Sequence, residues 1–172
     1  MQVTASPEPE GGPEVTLHGG TFTVGGGTVA YGIEVVGGLG TFDHITAQAR
    51  GGTTENIGLM NEEMSSVVTA IGVSFTGSGG NKAYGIYNIG ELTTQNVFAL
   101  GESWSTNNGL SLSYGTVRAD SCRFKGNTNA VYQTGGVLYL AVSQLDGGMQ
   151  QTSGIGTGFQ VYDGSYNPSI CP

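Results

Sequence analysis

Apolar residues recur along this chain in columns, not in helical stripes. Four segments share a phrase: Ala30-Tyr31-Gly32-Ile33, Asn56-Ile57-Gly58-Leu59, Ala83-Tyr84-Gly85-Ile86 and Asn108-Gly109-Leu110. A fifth, Ala130-Val131, keeps the apolar residue and loses the glycine. Ile33, Leu59, Ile86, Leu110 and Val131 therefore form one column, with steps of 26, 27, 24 and 21 residues. A second column runs Ile45, Val73, Val97, Cys122, Ser143, and a third lies two residues further on: Ala47, Phe75, Ala99, Phe124, Leu145. Two residues is the strand period, so both columns face one side. A fourth column, Gly40, Val68, Leu92, Val117, Leu138, lies five residues before the second. Phe22 and Val24, each 23 residues before Ile45 and Ala47, extend the pattern to an N-terminal rung.

Glycine clusters separate the columns, among them Gly25 to Gly27, Gly51-Gly52, Gly79-Gly80 and Gly147-Gly148. Glycine reaches positive φ at little steric cost, which sharp corners between strands require. A coil of this length with short strands and glycine corners is a solenoid rung. The expected fold is all-β: a right-handed parallel β-helix (solenoid) of about six rungs at roughly 4.8 Å each. Residues 1–14 are read as an extended lead-in or cap, 15–157 as the β-helix, and 158–172 as a C-terminal cap or tail. Phe159, Val161 and Tyr162 are the expected packing residues of that tail. Hairpin folds predict turn pairs such as Asn-Gly between strands; Asn108-Gly109 is one such pair, but it falls at the start of a rung.

The chain has 172 residues, 32 of them glycine, with 10% charged and 37% hydrophobic. The abundant β-branched and aromatic residues exclude disorder, and the glycines lack the collagen period. Net charge is −8, with five Lys plus Arg against thirteen Asp plus Glu. That balance argues against nucleic acid and against an anionic membrane surface as partners. No apolar stretch is long enough for membrane insertion, and Met1 to Glu14 has neither the basic nor the apolar region of a signal peptide.

Tyr84-Gly85-Ile86-Tyr87-Asn88, followed by Leu92-Thr93-Thr94-Gln95-Asn96-Val97, resembles the repeats of pectate-lyase-like right-handed β-helix proteins. It is most similar to repetitive bacterial and phage-associated β-helix proteins of unassigned activity, whose tails resemble Gln144-Leu145-Asp146-Gly147-Gly148 and Val161-Tyr162-Asp163-Gly164. The likeness covers roughly residues 28 to 168. It implies the fold; β-helices of this kind serve as polysaccharide lyases, tailspikes, adhesins and fibres, so function must come from the site.

Glycan hydrolysis needs two carboxyls about 5 to 9.5 Å apart. Asp43 and Asp120 share a column but stand three rungs apart, with Ile71 and Gln95 between them. Glu62, Glu63 and Glu91 lie on turns of neighbouring rungs and read first as a solvated acidic turn. Glu34, after Ile33, is expected to point outward. Arg118, Arg123 and Lys125 form the one basic spot, suited to an acidic sugar or, more simply, to guarding a strand face. Tyr87, Phe98 and Trp104 should face outward and offer rings to a sugar or to another subunit. His18 and His44 are too few for a histidine metal site, and the side chains of His44 and Asp43 should diverge in a strand. Cys122 should be buried, and its pairing with Cys171 is left open. Thr21, Thr23, Thr53, Thr54, Thr93 and Thr94 make no continuous column, which argues against an ice-binding array.

No catalytic constellation, metal or cofactor is expected. The sequence favours a non-enzymatic structural or attachment module of a virion or a bacterial surface, located extracellularly and self-associating. A trimer is the first expectation and an end-to-end filament the second. The alternative is a carbohydrate-binding or weakly carbohydrate-active β-helix. Both readings use the same contact residues: Tyr87, Phe98, Trp104, Arg118, Arg123, Lys125, Glu62, Glu63 and Glu91.

Overall fold

The structure, a computed structural model, describes residues 2–4, 14–165 and 168. The chain begins with β1 (Gln2–Thr4) and β2 (Glu14–Gly25). The first full turn is β3 (Val29–Val36) and β4 (Leu39–Arg50), and the second is β5 (Glu55–Asn61), β6 (Val67–Ile71) and β7 (Ser74–Ser78). Then follow β8 (Lys82–Asn88), β9 (Glu91–Gln95) and β10 (Phe98–Glu102), and after them β11 (Thr106–Leu112), β12 (Thr116–Asp120) and β13 (Arg123–Gly126). The fifth turn is β14 (Asn129–Gln133), β15 (Val137–Ala141) and β16 (Gln144–Asp146). A short last rung has β17 (Met149–Gln151), β18 (Ile155–Phe159) and β19 (Tyr162–Asp163). All the ladders between these strands are parallel, and no helix occurs among the described residues. The protein is a parallel β-solenoid of about five turns.

Three faces run along the rod. The first is β1-β3-β5-β8-β11-β14-β17. The second joins β18-β15-β12-β9-β6 to the first half of β4, and the third joins the second half of β4 to β7-β10-β13-β16-β19. β4 spans both faces because it turns at His44, whose φ is 52°. The same corner residue has positive φ on every rung: Gly19, Gly72, Asn96, Ser121, Val142 and Gln160. The left-handed conformation costs an L-residue roughly 1–2 kcal/mol, and β-branched Val142 is the least suited to it.

Three of the four inward columns are register partners as the sequence predicts, and the fourth is buried. Ile33, Leu59, Ile86, Leu110 and Val131 pair in order, as do Ala47, Phe75, Ala99, Phe124 and Leu145. Gly40, Val68, Leu92, Val117 and Leu138 also pair, and the Ile45 to Ser143 column is buried throughout. Each large apolar side chain in these columns contributes roughly 2 kcal/mol of burial. Gly40 leaves a gap that the Phe42 ring fills, its tip 3.0 Å from where a Cβ would stand. One register expectation fails by two residues: Phe22 pairs with Ala47 and Val24 with Ala49. The offset between β2 and β4 is 25 residues along their whole length, and a two-residue slip keeps each side chain on its face, so the apolar pattern could not detect it.

Buried amides close the corners. Asn56 accepts from the Gly52 amide at 2.8 Å and donates to the Gly52 and Gly79 carbonyls, both at 2.9 Å. Asn61 donates to Asn88 Oδ1 at 2.8 Å, and Asn88 donates to the Gly90 carbonyl at 2.7 Å. These bonds satisfy turn carbonyls that would otherwise lie unpaired beside the core.

The first and third faces touch backbone to backbone. A Cβ on Gly85 would lie 2.5 Å from Leu100 N, 2.6 Å from Gly109 O and 2.7 Å from Ala99 C. Gly58 and Gly109 stand in the same relation to the next rungs, and Gly77, Gly101 and Gly126 answer them from the third face. The tail expectation is mixed: Val161 is buried, Tyr162 half-buried and Phe159 67% exposed. β18 and β19 continue the rod through the span read as a tail.

Gly85→Ala should destabilise the rod by roughly 3 kcal/mol or more, because all three clashes are with backbone. Gly79→Ala, with open space around its Cβ but φ of +81°, should cost only about 1 kcal/mol. Denaturant unfolding of the two variants checks the difference; equal losses would mean that close approach is not what the glycine provides.

Candidate functional site

The outer side of the first face carries a cluster of tyrosines, Tyr31, Tyr84, Tyr87 and Tyr132, buried or half-buried among its neighbours. Ladder pairing on this face skips Gly32, Gly58, Gly85 and Gly109. Two residues that flank the glycine at a spacing of three therefore both point outward. Tyr84 and Tyr87 do so on one rung, their rings edge to face at 5.5 Å. The columns through them are Tyr31, Ile57, Tyr84, Asn108, Asn129 and Glu34, Met60, Tyr87, Ser111, Tyr132, Gln150. The result is a shallow surface of tyrosines, small hydroxyls and amides.

Two troughs meet at Tyr84 and Tyr87. One, of about 370 Å³, extends toward the C-terminal rungs over Asn108, Ser111, Asn129 and Tyr132. The other, of about 260 Å³, extends toward Tyr31, Ile57, Met60 and the Glu55–Lys82 pair. Lys82 Nζ is 3.0 Å from Glu55 Oε1. Ser113 Oγ donates to the Tyr87 hydroxyl at 3.0 Å, and Asn129 Nδ2 donates to Asn108 Oδ1 at 3.2 Å. Burial, reinforced by Glu55, Tyr87 and Tyr132, pushes the Tyr84 phenol up to about 12. Tyr31 is raised by burial and by Glu34, Glu62 and Glu55. These phenols stay neutral at physiological pH.

Glu34 does sit on the outer side, as expected, but only 8% of it is exposed. Its pKa is raised, first by burial and then by the charge and hydrogen bond of Glu62. Burial disfavours the charged carboxylate, and the neighbouring Glu62 adds to the same direction. This pair joins Glu62 to Glu34, not to Glu91. Glu63 accepts from Ser65 Oγ at 3.1 Å. Glu91 pairs with Arg118 at 3.3 Å, so two residues the sequence singled out separately meet here.

The basic spot divides at the corner. Arg118 lies on the second face, with its guanidinium 5.6 Å from the Tyr139 ring centre. Arg123 and Lys125 lie on the third, and Asp146 of the next rung takes both, at 3.1 and 3.6 Å. Arg123 also covers Phe98, which is half-buried. Trp104 is 92% exposed on the turn between β10 and β11, away from the tyrosines. Tyr87 alone of the proposed contact residues lies in the tyrosine troughs.

One expectation needs correction. Asp43 and His44 do not diverge: the left-handed conformation of His44 swings its ring back, and its Nδ1 bonds Asp43. His18 Nδ1 takes the other Asp43 oxygen at 2.6 Å. A threonine column also exists, made of Thr16, Thr41, Thr69 and Thr93 on successive rungs and ending at Arg118. Thr21, Thr23, Thr53, Thr54 and Thr94 lie outside it, so the six threonines named from the sequence form no single column.

Cys122 is buried, and burial pushes its thiol up. Its pairing with Cys171 falls outside the described residues. No group of three or more His, Cys, Asp or Glu able to hold a metal occurs among the described residues. No family model matches this chain, and no curated protein or solved structure is significantly similar to it.

Glu34→Gln tests the carboxyl pair. A carboxyl whose folded pKa is raised stabilises fully below its unfolded value and loses that contribution as pH rises through the folded value. The variant should therefore melt higher than wild type at neutral pH, and the two should converge toward about pH 4. A lower midpoint at neutral pH would show that the carboxylate has favourable partners that Gln cannot replace.

Proposed function

We propose that the chain is a non-enzymatic attachment module, a stiff rod whose tyrosine face binds glycan at a virion or bacterial surface. The observation that carries this reading is the pair of troughs meeting at Tyr84 and Tyr87. Tyrosine faces stack on the C–H side of sugars, while amides and hydroxyls exchange hydrogen bonds with sugar hydroxyls. The residue chemistry is that of a binder. Glu34 and Glu62 are within hydrogen-bonding reach, closer than the roughly 5 Å that a retaining glycosidase needs, and Arg118, Arg123 and Lys125 each have a carboxylate partner, Asp146 serving the last two. The resemblance to phage-associated and bacterial β-helix repeats supports an extracellular setting. Screening on a glycan array should find a ligand whose affinity drops about tenfold in Tyr87→Ala, with no release of reducing ends. An array on which nothing binds ends this reading.

Self-association is a second reading, favoured by the second face. Tyr139, Val142, Ile155 and Phe159 are 45%, 49%, 63% and 67% exposed. A trough of about 500 Å³ runs between Tyr139, Ala141 and Phe159. Exposed apolar patches of this kind mark subunit contacts. Multi-angle light scattering should give a trimer that Phe159→Ser weakens. A monomer at high concentration excludes it.

A further inference from the structure

We propose that the C-terminal trough takes an uncharged, extended, equatorially linked glycan laid parallel to the rod axis, with every second sugar stacked on a tyrosine. The proposal rests on the glycan-binding reading above and gives it a ligand class and a direction.

Tyr87, Ser111 and Tyr132 are register partners on three consecutive rungs. The two tyrosines are thus two rung spacings apart, about 9.5 Å. An equatorially linked pyranose chain with a two-fold twist presents the same ring face at every second residue. Its repeat is close to that separation. Ser111 is small and buried, and leaves a low floor where the intervening sugar turns its other face. Asn108 and Asn129 form one wall, and Ser113 and Thr134 stand on the other side. The lining of this stretch holds no carboxylate and no ammonium group. The chain as a whole carries −8, so an acidic sugar would meet repulsion without a paired cation. Axially linked glucans coil and fall out of step with a straight column.

Isothermal titration of the full chain with cello-, chito- and malto-oligosaccharides and with oligogalacturonate tests this. A cello- or chito-oligosaccharide should bind at least tenfold tighter than the malto-oligosaccharide and the galacturonate. Affinity should step up from disaccharide to trisaccharide, when the third sugar reaches the second ring. Tyr132→Ala should erase that step, a loss of about tenfold, and Tyr132→Phe should keep it. If Tyr132→Ala fails to fold, the length series on wild type and Tyr132→Phe still decides. Equal binding of the malto-oligosaccharide or galacturonate, or no step with length, overturns this inference and leaves the glycan-binding reading standing. No binding of any of the four overturns the inference and removes the reading's support at this trough.

Discussion

The contact between the first and third faces sets the cross-section of the rod. Gly58, Gly85 and Gly109 bring one backbone against another with no side chain between them, and Gly77, Gly101 and Gly126 do the same from the opposite side. The large inward residues fill what remains of the triangle, around Phe42, Phe75 and Phe124. Because the ladder skips a residue at each glycine of the first face, the outward residues on either side stand three apart. The tyrosine surface is a consequence of that backbone contact: replace the glycines by an ordinary strand, and Tyr84 and Tyr87 would face opposite ways.

Polar groups follow the same division between inside and outside. Corner amides such as Asn56, Asn61 and Asn88 are buried but bonded to turn backbone. The ion pairs Lys82–Glu55, Arg118–Glu91 and Arg123–Asp146 each join adjacent rungs. Exposed pairs of this kind add little stability individually. Their larger effect is to give each of these cations a carboxylate partner on an adjacent rung.

The inward columns were readable because they repeat. Ile33 to Val131 and Ala47 to Leu145 needed only the two-residue period and a constant position in each coil. Tyr31 and Tyr84 were hidden because strict alternation places residues three apart on opposite faces, whereas Tyr132, directly after inward Val131, stands where alternation puts an outward residue. The signal was present in the glycine that each repeat shares, whose role in interrupting the strand appears only once the third face is seen against it. His44 was misjudged for a related reason: its positive φ belongs to a corner column that includes Gly19 and Gly72, and a strand reading ignores it. The basic spot looked coherent because Arg118 and Arg123 are near in sequence, yet a corner lies between them. The neutralising partners, Glu91 and Asp146, sit more than twenty residues away in the chain.

Every ladder hydrogen bond in this rod points along its length. A pull applied to the two termini would therefore load those bonds in succession and peel off one coil before the next is strained. A grip spread across several rungs of the tyrosine face would instead divide the same force among many bonds at once. The solenoid is mechanically weak when tugged from its ends and strong when held by its flank, so a tether through that face would resist shear that a terminal linkage could not.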